Sequence, residues 1–194
     1  DMYYNTSRFS KLHHFLSKIG YKKYNVSKAL VHFGIHDGRS RSWESVNKDA
    51  LLWLRGCDKP FFIFLHYMDI HRDTAGGTKT IADKHVNYDS NVRLIDAAIG
   101  DIMSYLKEKK LFDDTLMVLF SDHGEALEQG HGRSVKNDEF HTPLLMHFPS
   151  LGSRDVTAMT RTIDIMPTIL GFQNVAVETD GKDLREVLNG GEGA

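Results

Sequence analysis

The chain has a single cysteine, Cys57, among 194 residues, so an internal disulfide framework is excluded and the thiol carries no compartment signal. No apolar run approaches the roughly 20 residues that span a bilayer, and the first residues contain no apolar signal core. No membrane span is expected. An excess of either charge is also missing: Lys plus Arg total 24 against 26 for Asp plus Glu, and the formal charge of -2 gives no field to gather nucleic acid. There is no internal repeat and no low-complexity linker. What is present, 41% hydrophobic and 26% charged residues, is the composition of one ordinary globular domain with a sizeable core.

Apolar periodicity divides the chain. Phe9, Leu12, Phe15, Leu16 and Ile19 recur at helical spacing and stop at Gly20. Val46, Ala50, Leu51 and Leu54 predict a second helix ending near Gly56. After Pro60, the run Phe61 to Leu65 is short, aromatic and β-branched, which favours a buried strand. Residues His71 to Lys84 are polar and include Gly76-Gly77, so a loop or lid is expected there. From Asp89 a long helix is predicted, with Val92, Ile95, Ile99, Ile102, Met103 and Leu106 on one face and lysines near its carboxyl end. Leu116 to Phe120 reads as a second buried strand, and Leu144 to Met146, after Pro143, as a third. Asp164 to Leu170 predicts a short helix with Pro167 in its first turn. This order indicates an α/β layered fold around a largely buried sheet. Residues 1–189 form one unit, and the glycines at 190, 191 and 193 mark a flexible tail at 190–194. Asn25-Val26-Ser27 fits a glycosylation acceptor, a triplet of little specificity.

In open α/β sheets, ligands gather beyond the carboxyl ends of the strands. Two polar clusters fall there: His66 to His71 after one strand, and Ser121-Asp122-His123-Gly124-Glu125 after the next. Gly130-His131-Gly132 follows. An Asp followed directly by His at a strand end can place a carboxylate and an imidazole on one divalent ion, and Gly124 lets the backbone turn away. The same pair also fits an N-cap Asp and an ordinary loop His.

The stretch LMVLFSDHGEALEQGHG, followed by FHTPLLMHFPS, resembles the strand, metal-ligand turn and Pro-led strand of the sulfatases, a branch of the alkaline phosphatase superfamily. LSKIGYKKY, FFIFLHYMDIH, the helix with Asp96 and Gly100, TIDIMPTILGF and DGKDL agree in order, so the resemblance covers nearly the whole chain. It implies an alkaline-phosphatase-like layered fold, a mostly parallel central sheet flanked by helices and incomplete at its N-terminal side, with residues 1–189 as the C-terminal portion of a catalytic domain. It further implies Asp122 and His123 as metal ligands, His123 standing where many sulfatases have Asn. The metal would be calcium first, with manganese or zinc as the alternative because of the imidazole. His71 falls at the family's substrate-binding histidine, and His131 or Lys136 at a basic position that reaches the sulfate or its ester oxygen. The implied partner is a sulfated small molecule or glycan.

The family's Cys/Ser-x-Pro-x-Arg signature, whose Cys or Ser matures to the formylglycine nucleophile, is absent from the sequence. Cys57-Asp58-Lys59-Pro60-Phe61 has the wrong spacing and no following Arg, so Cys57 reads as a buried or linker thiol. The paired aspartates of the family's opening strand are missing too. The chain is therefore expected to be a fragment, inactive alone, of an enzyme that hydrolyses sulfate esters. Two other readings stay open: a phosphate-ester hydrolase or phosphoryl transferase of the same superfamily, and a non-enzymatic remnant whose exposed sheet a second copy would cover. A periplasmic or secreted location would follow only from a signal peptide preceding this segment.

Overall fold

The computed structural model describes residues 30–33, 35–36, 39–58, 60–71, 80–127 and 136–191. The predicted helix from Phe9 to Ile19, the Asn25 triplet, the Gly76-Gly77 loop and the Gly130-His131-Gly132 cluster lie outside the described residues. Six strands are described: β1 (Leu30–Phe33), β2 (Ile35–His36), β3 (Arg39–Ser40), β4 (Phe62–Leu65), β5 (Met117–Phe120) and β6 (Leu144–His147). Between them lie α1 (Trp43–Arg55), α2 (Ile81–Glu108) and α3 (Asn137–Phe140), and α4 (Ile165–Phe172) and α5 (Arg185–Leu188) follow β6. Strands and helices alternate as an α/β layered fold requires. Among the described residues β1 pairs with β4 in parallel, while β2–β3 and β5–β6 are antiparallel ladders.

The core forms where α1 crosses α2. Val46 and Ala50 from α1 meet Ile102 and Leu106 from α2, and Phe61, Ile63, Leu65, Tyr67 and Met117 pack against that cluster. The helices thus seal one face of β4. The other face is open: Phe62 and Phe64 are exposed, as are Leu119 and its cross-strand partner Leu145. The expected buried strands are thus buried on one face only among the described residues. A continuous apolar run does not by itself distinguish a strand covered twice from one covered once.

The long helix begins at Ile81, eight residues before the sequence pattern placed it, so the expected loop cannot run to Lys84. Thr80 supplies the cap, its Oγ1 accepting from the Asp83 amide at 3.1 Å and donating to the Asp83 carboxylate at 2.7 Å. The buried stripe is Asn91, Ile95, Ala98, Ile102 and Leu106, and Val92, expected inside, is 40% exposed. A polar Asn and a small Ala complete the stripe, which is why apolar spacing alone rotated the face by one position.

Three helices close with the same device. After α2, α4 and α5, the residue beyond the cap donates to the carbonyl three back, and the next residue to the carbonyl five back. The pairs are Lys110 to Lys107 and Leu111 to Leu106, Asn174 to Gly171 and Val175 to Leu170, and Gly190 to Val187 and Gly191 to Glu186. Lys110, Asn174 and Gly190 accordingly have φ of 57°, 55° and 96°. Gly190 and Gly191 are therefore parts of a helix end.

The segment after β6 is held by Asp164. Its carboxylate accepts from the Arg161 amide (2.8 Å), the Arg161 guanidinium (2.9 Å) and the Lys182 amide (2.8 Å). Thr168, fully buried, donates to the Asp164 carbonyl at 2.6 Å and accepts from the Leu184 amide at 2.9 Å. Burial alone would raise the Asp164 pKa, but the guanidinium and the two amides outweigh it and hold the group below the ordinary carboxylate range.

Two outcomes follow. Lys110→Gly removes the steric penalty of a side chain at positive φ and should raise stability by about 1 kcal/mol, or a few degrees in thermal midpoint. Because the folded Asp164 pKa is depressed, its contribution is present above the unfolded value of about 4 and is lost as pH falls through the lower folded value. Asp164→Asn should flatten that acid limb in urea unfolding measured between neutral and acid pH.

Candidate metal and substrate site

Strand β5 delivers Ser121 to Gly124 as a tight polar turn. The Ser121 hydroxyl donates to the His123 carbonyl at 2.6 Å, and the His123 amide donates to Asp122 Oδ1 at 3.0 Å. The His123 ring lies with Nδ1 2.7 Å from the Gly124 carbonyl oxygen. A carbonyl can only accept, so Nδ1 carries the proton, and in the neutral ring the lone pair resides on Nε2. That atom is 3.9 Å from Asp122 Oδ2, and both side chains are solvent-exposed. Ligand bonds of about 2.1–2.4 Å to one ion can span that separation.

Gly124 does more than permit a turn. Its amide donates to the Glu139 carbonyl at 2.8 Å, and a Cβ built on it would overlap the Asp138 carbonyl oxygen and come within 3.2 Å of Glu139 Cα. Backbone thus packs directly on backbone. The contact fixes the Asp122–His123 turn against α3, whose N-cap is the exposed Lys136. On the other side, the Lys84 ammonium donates to the Leu127 carbonyl at 3.3 Å and ties the first turn of α2 to the chain leaving this turn.

The second cluster leaves β4. Residues 69–71 are helical and His71 is half-buried. The Phe64 and Phe120 rings lie 6.4 Å apart, so β4 and β5 are in contact near the ends from which the His71 and Asp122 segments depart. The structure therefore joins Asp122 to His123 and seats Lys136 on an element locked to their turn. His131 lies outside the described residues. No third His, Cys, Asp or Glu joins Asp122 and His123 to form a group of three among the described residues.

Sequence reasoning missed Asn47 and Tyr67. Asn47 is buried in α1, its Nδ2 donating to the Ala98 carbonyl (2.8 Å) while its Oδ1 accepts from the Tyr67 hydroxyl (2.6 Å). The signal was a polar residue set at helical spacing among Val46, Ala50 and Leu54.

Residues 1–175 match the family model for Sulfatase. This chain belongs to the sulfatase family. Choline-sulfatase of Rhizobium meliloti is 28% identical to it over 114 residues, 54% of this chain and 22% of that protein. Steryl-sulfatase of Rattus norvegicus is 27% identical over 159 residues, 70% of this chain and 28% of that protein. The chain thus spans about a quarter of the length of these relatives. A phosphonate monoester hydrolase of Agrobacterium radiobacter has the same fold, with a TM-score of 0.66 at 18% identity, covering 93% of this chain and 50% of that one. The expected alkaline-phosphatase-like fold of this sulfatase-family chain is borne out. Among the described residues no helix is long and apolar enough to cross a membrane.

Gly124→Ala should force the turn off α3 and lower stability by about 1–3 kcal/mol. Gly100→Ala, where a Cβ meets nothing within 4 Å in the interior of α2, should instead stabilise by roughly 0.5–1 kcal/mol. Urea unfolding of the two variants checks the contrast.

Proposed function

We propose that this chain supplies the metal-ligand turn and part of the substrate-contacting surface of an enzyme that hydrolyses sulfate esters. The observation that carries the reading is the Asp122–His123 pair, an exposed carboxylate and an imidazole with its Nδ1–H anchored on a carbonyl, in a chain of the sulfatase family. An imidazole so anchored has its tautomer and direction set for Nε2 ligation. The donor set fits a divalent ion. Calcium stands first by the family resemblance, and manganese or zinc follows from the imidazole. A bound ion would supply charge stabilisation to the sulfate oxygens.

The chain's own residues would do the rest. Hydrolysis of an ester R–O–SO3⁻ with water yields R–OH and hydrogen sulfate, and negative charge grows on the sulfate oxygens and the departing alkoxide. His71 would bind the sulfate group, and Lys136 or His131 would face it or give a proton to the leaving oxygen. Two protein ligands do not fill the four positions of zinc or the six to eight of calcium, and the sequence has no Cys/Ser-x-Pro-x-Arg nucleophile signature. The chain by itself is accordingly proposed to be inactive. The relatives' names attach sulfatase to choline and to steryl groups, so the substrate is assigned only as a sulfate ester, of a small molecule or a glycan.

Thermal unfolding of the purified chain with calcium, manganese or zinc added singly tests the ligand assignment. One ion should raise the midpoint, and Asp122→Ala and His123→Ala should each abolish the rise. Absence of stabilisation by all three ions would sink it. The full-length gene product should hydrolyse an aryl sulfate, with kcat/KM falling by about 100-fold or more in Asp122→Ala. A preference for an aryl phosphate would move the reading to phosphoryl chemistry.

A further inference from the structure

The family resemblance singles out His71 but says nothing of what aims it. Helix α1 begins at Trp43, and although Ser42 occupies its N-cap, that hydroxyl makes no capping bond. The Trp43 amide instead donates to Asp69 Oδ1 at 3.3 Å, a carboxylate 26 residues further along the chain. One turn into α1, the Asn47 amide receives the Tyr67 hydroxyl at 2.6 Å and spends its own N–H on the Ala98 carbonyl of α2 at 2.8 Å. Tyr67 and Asp69 flank one residue, and residues 69–71 are in a single helical turn.

We propose that Asn47, Tyr67 and Asp69 form a polar clamp that ties the turn bearing His71 to helix α1 and so positions the His71 side chain. Tyr67 and Asp69 are held by two residues of one rigid helix, Asn47 and Trp43 of α1, and two points separated along that axis fix direction as well as distance. His71 rides on the turn that the second anchor starts. The clamp does not depend on ordinary changes of pH at its phenol: burial first, and the nearby Asp101 and Asp69 charges next, push the Tyr67 hydroxyl well above the usual phenol range, so it stays a donor. The Asn47 orientation is equally determined, since Ala98 offers only an acceptor. Among the described residues, Asp69 Oδ2 is buried without a hydrogen-bond partner. A carboxylate accepting that desolvation beside the amide end of a helix is held there by the dipole and the Trp43 bond.

The substrate role of His71 rests on the reading under Proposed function; its fixed orientation does not. The test therefore uses two readouts on the whole chain. The His71 imidazole resonance, assigned by its loss in His71→Gln, reports position, and titration with inorganic sulfate reports function. Tyr67→Phe, which keeps the ring packing, and Asp69→Ala should each shift or broaden the His71 resonance. Asp69→Asn, which keeps an oxygen acceptor for Trp43, should restore it. Thr168→Val, which destabilises the chain at the buried hydroxyl between Asp164 and Leu184, should leave it in place, separating positioning from loss of stability. Sulfate affinity should weaken roughly tenfold with the first two variants, the scale of one lost well-placed contact. A His71 resonance unmoved by both Tyr67→Phe and Asp69→Ala would overturn the clamp. A wild-type resonance indifferent to sulfate would instead count against the sulfate role while leaving the clamp to be judged by the variants.

Discussion

The Asn47 carboxamide lies where α1, α2 and the chain leaving β4 converge, and each half of it is used once. Removing either partner would strand a buried polar group, at roughly 1–3 kcal/mol, a large fraction of the net stability of a domain this size. The surrounding apolar cluster of Val46, Ala50, Ile102 and Leu106 supplies attraction without direction. The amide supplies direction, since its donor reaches one carbonyl of α2 and its acceptor one hydroxyl after β4. The placement of both site-bearing segments, one directly after β4 and one after β5 beside it, presupposes that this joint closes in one way.

The second constraint is of the opposite kind. At Gly124 no side chain intervenes, and the Asp122–His123 turn is fixed by main chain lying on main chain. A side-chain joint can repack by rotamer changes, whereas a backbone contact can relax only by moving a whole segment. Asp122 and His123 are thus exposed to solvent yet held on a stiff base, the combination expected of residues that must meet a ligand in a fixed geometry.

Elements that bury a plain apolar stripe were legible in the sequence. Helix α1, the body of α2, strands β4 to β6 and α4 all lie where periodicity put them. What escaped was written in polar or small residues. The start of α2 is set by Thr80 and Asp83, a capping pair visible three residues apart but outvoted by the polar surroundings. Asn91 and Ala98 complete its buried stripe, and Asn47 is a buried polar residue on the apolar face of α1. For the candidate site, Asp122 and His123 stood out as a pair at a strand end, and the family resemblance implied metal ligation for them. The approach of Gly124 to α3 and the tie between Tyr67 and α1 are contacts between segments distant in sequence, which no local pattern encodes, and the tautomer of His123 depends on how the turn folds its ring onto the next residue's carbonyl.

The cap that ends α2 has a consequence further on. By directing Leu111 back over Leu106, it determines where the chain sets out for β5, six residues before Met117. Phe112–Asp114 then make one 3-10 turn, and the alternation of a strand begins only at Met117, so the cap and that turn together set where β5 enters its ladder with β6. A β5 that met β6 one residue out of step would exchange Val118 with Leu119 and send the turn beyond Phe120 out on the reverse side.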